Sequence, residues 1–374
     1  MQTDFLIIGS GMAGMSAAYR LSRYGKVTVL EKESLLGYHT TGRSAAFFTE
    51  NYGNKTIRSI TKASRFFLEN PPSCFNNVEL MTQYGGSLFI ANKNQSNLVD
   101  KELNYAKSVS ANVFEIDIKE VLNMVPIIRE EYINRALHEP DSKVMDVDLI
   151  HQGFARGLKE NNGEILFNSE VVNIVKKHGL WNVKTKNNEF MSPIIINAAG
   201  AWCDEIAILA ECNPLNLSPK RRTVIIFENL SNLNTSEWPV VIDIEDNFYF
   251  KSEAGKILAS PADETDSPPC DSQPEELDIA LTIDRIENAT NFKINKIDHK
   301  WAGLRSFFPD RTPVVGEDPK MSGFYWLAGQ GGYGIQTSPG ISKIIECLIT
   351  GKKWPAYLSN YAITPETLSP RRQI

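Results

Sequence analysis

The chain opens on an apolar run with no polar interruption, Phe5-Leu6-Ile7-Ile8, which predicts a strand buried on both faces. It runs straight into Gly9-Ser10-Gly11-Met12-Ala13-Gly14, then a helical pattern, then a second strand, Val27-Thr28-Val29-Leu30, that ends in Glu31. Residues 4–31 therefore predict one β-α-β unit. From 57 to 68 apolar and polar residues recur at helical spacing until Asn70-Pro71-Pro72 stops them. Short apolar runs return at 165–175, followed by a two-residue period at 181–185. The run 193–200 predicts a buried parallel strand ending in a glycine turn. Residues 223–227, 240–244 and 248–251 are β-rich and predict an antiparallel sheet, with 261–274 as a polar, proline-containing loop. A last strand, 324–328, leads into glycine-rich 329–334. A helix follows, with Ser338 as its N-cap, Pro339 at its first position and Gly351 closing it. Its apolar stripe is Ile341, Ile344, Ile345, Leu348 and Ile349.

These elements predict an α/β protein in which a Rossmann-like domain is interleaved with an α+β domain built on a mostly antiparallel sheet. The first domain takes residues 1–80, 140–215 and 318–374; the second takes 81–139 and 216–317. A length of 374 residues exceeds what one hydrophobic core usually organises, which fits that division.

The opening unit also carries chemistry. Gly9 permits a tight turn, Gly11 lets backbone approach a pyrophosphate, and Gly14 lets helix and strand pack closely. The helix starting at Met12 and Ala13 turns its positive end and its N–H groups toward the phosphates. Glu31 stands where a carboxylate accepts hydrogen bonds from ribose hydroxyls, so a dinucleotide is the expected ligand.

Composition narrows the classes that remain. Hydrophobic residues make up 42% and charged residues 22%, ordinary globular values, and a net charge of −6 argues against a nucleic-acid surface. No run reaches the ~18 apolar residues of a spanning helix, and the N-terminal apolar stretch belongs to the first strand, so neither an integral membrane segment nor a signal peptide is expected. Cys74, Cys203, Cys212, Cys270 and Cys347 are scattered and never form C-x-x-C, and the histidines show no ligand spacing. Free thiols, no metal and a cytoplasmic location are the expectation, with peripheral contact to the inner face of a membrane left open.

Four blocks carry a family resemblance: the fingerprint with Glu31; Thr41-Gly42-Arg43-Ser44-Ala45-Ala46; Asn197-Ala198-Ala199-Gly200-Ala201-Trp202; and Trp301-Ala302-Gly303-Leu304-Arg305 with 329–336. Together they make the chain resemble the FAD-dependent D-amino-acid oxidase superfamily, with spacing closest to the D-arginine dehydrogenase branch. The resemblance implies FAD as cofactor, bound through a Rossmann-like domain of the GR2 type. The covalent branch uses a cysteine close after the Arg block; Ser306-Phe307-Phe308-Pro309-Asp310 has none, so attachment is expected to be non-covalent. It implies cofactor contacts at Gly9, Gly11, Met12, Ala13, Gly14, Glu31, Lys32, Thr41, Gly42, Arg43, Ser44, Ala45, Ala46, Val171, Val172, Ala199, Gly200, Trp202, Gly331, Gly332, Tyr333, Gly334, Ile335 and Gln336.

For the substrate, the resemblance assigns Arg305 to a bidentate hold on a carboxylate, which suits the planar guanidinium fork. Arg222 is the second anchor, although Lys220 and Arg221 beside it leave open a merely solvated basic edge. Tyr249 and Tyr52 are the covering phenols, each equally readable as a core aromatic from its residue type alone. The remaining pocket positions are Phe47, Thr49, Gly86, Val240, Ile242, Gly303, Gly332 and Gln336. Gln83-Tyr84-Gly85-Gly86 holds no acid to meet a guanidinium, so neutral or apolar D-amino acids are the expected substrates, oxidised to 2-oxo acids and ammonia by hydride transfer from Cα to flavin N5. Electrons then pass to a quinone, a carrier or O2. The alternatives are sarcosine- or glycine-oxidase-like oxidation of small amines and a non-catalytic FAD-binding assembly protein.

Overall fold

The computed structural model describes residues 1–108, 111–229 and 233–372. Two sheets organise them. A six-stranded sheet runs in the order Val314–Glu317, Phe324–Ala328, Ile194–Asn197, Phe5–Ile8, Val27–Leu30, Glu164–Leu166, parallel except at the pair formed by the first two. The uninterrupted apolar runs are explained by burial on both faces. Phe5 and Ile7 pack toward the helices Met12–Leu21, Val147–Glu160 and Gly334–Thr350, while Leu6 and Ile8 pack toward a three-stranded meander and the helix Cys203–Leu209.

The second sheet is antiparallel apart from the pairing of Ser87–Ala91 with Val240–Asp243. Its longest strand, Ser218–Glu228, pairs along its length with His299–Phe307. Alternation along these strands separates two faces. Val241, Phe250 and Ile225 pack under the helix Glu276–Ala289; Ile242, Tyr249 and Val224 turn the other way, toward the first sheet.

Two boundaries differ from the sequence reading. Val314–Glu317 belongs to the six-stranded sheet, although the run to 317 was expected in the other domain. The C-terminal helix begins at Gly334, not after Ser338, so Pro339 lies inside it. Proline there cannot donate to the Ile335 carbonyl; the Ser338 hydroxyl does so instead, at 2.9 Å, which relieves the missing bond. Gly351 closes the helix in the left-handed conformation, as expected.

Candidate functional site

Three adjoining cavities form one trough that starts at the ends of the first two strands of the six-stranded sheet and runs on between the two sheets. At the first end Gly9, Gly11, Leu30, Glu31, Lys32, Val171 and Trp202 line a wide cleft. Gly9 has φ of 102°, and a Cβ there would stand 2.5 Å from the Ala198 carbonyl, so only glycine fits the crossing. Glu31 is fixed by Ser10 N at 2.9 Å, Ser10 Oγ at 2.6 Å and Glu33 N at 2.9 Å. Its carboxylate therefore faces the cleft in a set orientation. The Lys32 ammonium rests 3.3 Å from the centre of the Trp202 ring, making a flat wall for an aromatic ligand.

The middle cavity is lined by Gly11, Met12, Ala13, Thr41, Arg43, Ser44, Ala45, Gly200, Gly303 and the stretch 329–332 with Gly334 and Ile335. Gly11 supplies no side chain to cap its helix, and Met12 N meets Thr41 Oγ1 at 3.0 Å. With Met12 N taken by Thr41 and no side chain on Gly11, the rest of the helix's first turn is left to an anion. Two polar atoms on this wall, Ser306 Oγ and Gln330 Nε2, are buried without a hydrogen-bond partner. Buried orphans of this kind ask for a polar ligand. A cleft with a fixed acid at one end, a helix N-terminus in the middle and orphaned polar groups at the other fits an extended dinucleotide such as FAD.

The third cavity, about 520 Å³ with its open side included, opens off the middle one; Ser44, Ala45, Arg222, Tyr249, Arg305, Gly332 and Ile335 are shared walls. Tyr52, Phe47, Ala46, Met145, Ile242, Asp246 and Gln336 complete it. Arg305 reaches it past Gly332, where a Cβ would stand 2.8 Å from the guanidinium. Among the described residues its side chain makes one hydrogen bond, to the Tyr52 hydroxyl at 3.3 Å, and no carboxylate forms a salt bridge with it. Burial opposes the charge, but the phenols of Tyr52, Tyr249 and Tyr333 and the Asp246 carboxylate outweigh it, and the net shift is upward. Burial pushes the Tyr52 phenol up as well, so near neutral pH it is an uncharged neighbour and no counter-ion. The Tyr249 hydroxyl is buried and unpartnered on the same wall. A cation and a phenol are left waiting for an acceptor.

The basic trio on 220–222 divides by strand alternation. Arg221 turns to the helix-covered face and meets Asp278 at 2.9 Å, and Lys220 meets Asp266 at 2.6 Å. Arg222 faces the cavity, with Nε on the Asp263 carbonyl at 2.9 Å and Nη2 on Glu264 at 3.3 Å; Glu264 also holds Arg311 at 2.7 and 2.9 Å. Arg222 is already partly engaged, whereas Arg305 is not.

Several expected positions lie elsewhere. Val172 is exposed, and the side chain beside it, Val171, is the one that lines the cleft, because a strand alternates faces. Thr49 is fully buried behind the wall, its hydroxyl on Glu139 and its N–H on Gln336. Val240 sits in the apolar cluster behind Ile242, and Gly86 packs against the Glu139 carbonyl. Tyr333 backs Tyr52, with ring centres 5.0 Å apart, instead of walling the cavity. Gly42 is a packing position against the Gly37 carbonyl, and Gly14 packs against that of Gly9, the close helix–strand approach expected of it. The Arg43 stem lines the middle cavity, but its guanidinium is tied away, to the Ser272 and Ala302 carbonyls at 2.9 Å and to Asp271 at 2.5 Å.

The expectation of a cavity without an acid also needs correction. The loop 83–86 indeed has none, but Asp246 enters from the hairpin after Val240–Asp243. The Asp243 carboxylate builds that turn by accepting from Glu245 N, Asn247 N and Asn247 Nδ2, and Asp246 stands at its tip with φ of 57°. Burial raises its carboxyl above the usual range, against the pull of Arg222 and Arg305. An acidic tip between two apolar strands, 240–244 and 248–251, was the available signal. None of the five cysteines lines the three cavities, and among the described residues no cluster of His, Cys, Asp and Glu could hold a metal.

Residues 4–348 match the family model for FAD dependent oxidoreductases, and the chain belongs to that family. An uncharacterised oxidoreductase of Bacillus subtilis, YurR, is 24% identical, with 96% of this chain and 98% of the relative covered. Human mitochondrial dimethylglycine dehydrogenase is 22% identical over 92% of this chain, which spans 42% of that longer protein. Among solved structures, glycine oxidase from Geobacillus kaustophilus superposes with a TM-score of 0.85 at 17% identity, covering 100% of this chain and 99% of its own. L-α-glycerophosphate oxidase of Mycoplasma pneumoniae, with FAD bound, also gives 0.85, at 21% identity, covering 95% and 97%. The chain is an oxidoreductase with FAD as its cofactor. No described helix is long and apolar enough to cross a membrane.

Proposed function

We propose that this enzyme oxidises the Cα–N bond of a small amino acid, a D-amino acid with a neutral side chain in the first instance, to an imino acid that water converts to a 2-oxo acid and ammonia. The observation that carries this reading is Arg305: an enclosed guanidinium that faces the third cavity and, among the described residues, makes no salt bridge to a protein carboxylate. A substrate carboxylate would supply the missing charge and both acceptors of a forked contact. Tyr52 and Tyr249 add hydroxyls to the same anion, and Arg222 adds positive potential from the side. Asp246 gives the ammonium end a partner across the cavity. This arrangement of opposite charges suits a zwitterion and disfavours a dianionic phosphate ester.

FAD, held in the adjoining trough, supplies the two-electron acceptor. The chain's own residues anchor the carboxylate, aim Cα at the middle cavity and exclude water with the Phe47, Ile242 and Tyr249 wall. The wall of aromatic and branched side chains favours neutral substituents, as in a D-amino-acid dehydrogenase related to the D-arginine branch but without its acidic loop. A second reading, oxidation of glycine or sarcosine, is favoured by the small volume of the cavity alone.

A panel of D- and L-amino acids, glycine, sarcosine and L-glycerol 3-phosphate tests the proposal, read by dye reduction and by peroxide. Turnover of D-methionine, D-leucine or D-phenylalanine ahead of the rest supports it. D-arginine far ahead would defeat the neutral side-chain preference, sarcosine alone would select the second reading, and glycerol phosphate alone would remove amino acids altogether. The peroxide channel separates O2 from other acceptors.

A further inference from the structure

Glu139 ends the strand Arg135–Glu139 and is 1% exposed, yet both its oxygens bond to residues outside its own strand. Oε2 accepts from Thr49 Oγ1 at 2.6 Å and Oε1 from Glu50 N at 2.7 Å. Thr49 passes the link on in two directions. Its hydroxyl oxygen accepts from Asn51 N at 3.2 Å, and its own N–H donates to Gln336 Oε1 at 3.2 Å. Gln336, a wall of the third cavity, is fixed in turn by Nε2 on Thr61 Oγ1 at 2.9 Å. From the opposite side the Arg58 guanidinium takes the Gly53 carbonyl at 2.8 Å and the Asn51 side chain. Residues 49–53, which carry Tyr52, are therefore gripped from both sides.

A buried carboxylate is costly unless its acceptors are filled, and here they are filled by one short segment of backbone and side chain. The grip also crosses between sheets. Glu139 belongs to the antiparallel sheet, while Gln336 lies on the C-terminal helix packed on the six-stranded one. Glu139 touches no cavity itself; it acts through Thr49.

We infer that Glu139 is a positioning residue for the substrate cavity: through Thr49 it sets the 49–52 backbone and the Gln336 side chain, and so holds the Tyr52 phenol against Arg305. The inference rests on the reading that this cavity takes the substrate. With Glu139→Gln, the side-chain oxygen still accepts from Glu50 N–H and the amide donates to Thr49 Oγ1, so both links survive. Glu139→Leu keeps the bulk and loses both links. Thr49→Val removes only the hydroxyl links.

Hydrogen–deuterium exchange on the FAD-loaded protein, together with KM and kcat for an amino acid the wild type oxidises, tests this. Glu139→Leu should speed exchange within 48–54 by about tenfold relative to the strand at 249–253, and raise KM by about tenfold with a smaller change in kcat. Thr49→Val should do the same more weakly, and Glu139→Gln should restore most of the protection. Unchanged exchange at 48–54 in both Glu139→Leu and Thr49→Val would overturn the inference. So would equal damage from Gln and Leu, which would make the charge and not the hydrogen bonds the operative feature. If Glu139→Leu loosens the whole chain, Thr49→Val decides between the same two outcomes. A wild type that oxidises no amino acid defeats the functional reading instead, and leaves the exchange result to judge Glu139.

Discussion

The two ends of the trough are built in opposite ways. The dinucleotide end is keyed by one stretch of chain, residues 5–31, with 37–41, 169–171 and 198–209 closing its walls, and it works largely through backbone: a glycine crossing, a helix that begins at a glycine and a single oriented acid. The other end, the proposed substrate cavity, draws Tyr52, Arg222, Asp246, Tyr249, Arg305 and Gln336 from separate segments, and it works through side chains. One end is a local motif that any dinucleotide enzyme of this fold can share. The other is a tertiary assembly, where small changes alter what is oxidised without loosening the cofactor. That separation can be tested by substitutions that disturb one end alone.

The largest expected effect is at Arg305. Arg305→Ala removes both halves of a charge-assisted contact, about 3 kcal/mol or more, so kcat/KM should fall by about a hundredfold or more. FAD content, measured by absorbance ratio, should remain that of the wild type. Loss of FAD in that variant would erase the distinction between the two ends.

A comparable free energy is expected at Glu139, seen in stability. Burial pushes its carboxyl up to about 7, against the hydrogen bonds from Thr49 and Glu50 N–H and with a smaller push from the Glu50 carboxylate. Glu50 is itself paired with Arg65 at 2.7 Å and Lys62 at 3.4 Å. A raised folded-state value means that this group's contribution is complete below its unfolded value, near 4.5, and is lost as pH rises through about 7. The loss amounts to about 3 kcal/mol. Denaturant titrations at pH 5 and pH 8 should show Glu139→Gln gaining on the wild type at the higher pH; a constant difference would contradict the assignment.

At the dinucleotide end the effect should be smaller and of another kind. Glu31→Ala removes the oriented carboxylate proposed to accept from the ribose, about 1.5–3 kcal/mol, and should weaken FAD binding by about tenfold or more. Once saturated with FAD, the variant should keep its KM for substrate. Asp246→Asn is the mildest change. It keeps shape and removes a charge that burial already disfavours, so KM for zwitterionic substrates should rise by only about threefold to tenfold, corresponding to about 1 kcal/mol. A drop in KM would mean that Asp246 faces the substrate carboxylate.

The same contrast explains what was legible in the sequence. The fold class and the opening β-α-β unit could be read because buried strands, a glycine turn and a terminal acid are local features of the chain. The Ser338-Pro339 signal misled because the Ser338 hydroxyl takes the carbonyl that proline leaves free, so the helix continues through a residue that usually starts one. Thr49 was placed in the cavity by likeness, yet its polar groups are consumed by Glu139 and Gln336, partners far away in sequence. Asp246 is not marked by the resemblance, which points to the 83–86 loop as the place of an acid. A carboxylate at the tip of a neighbouring hairpin reaches the same space. Arg222 could be separated from Arg221 only once the face of the strand was known.

The central claim is that an amino-acid carboxylate on Arg305 places Cα for oxidation by FAD. The most direct measurement is the absorption spectrum of the FAD-loaded protein under anaerobic conditions, before and after a D-amino-acid mixture, in the wild type and in Arg305→Ala. The account predicts rapid bleaching of the flavin band in the wild type and bleaching slower by about a hundredfold in the variant at the same low substrate concentration. Equal bleaching rates in the two proteins, or none in the wild type with any amino acid, would contradict it.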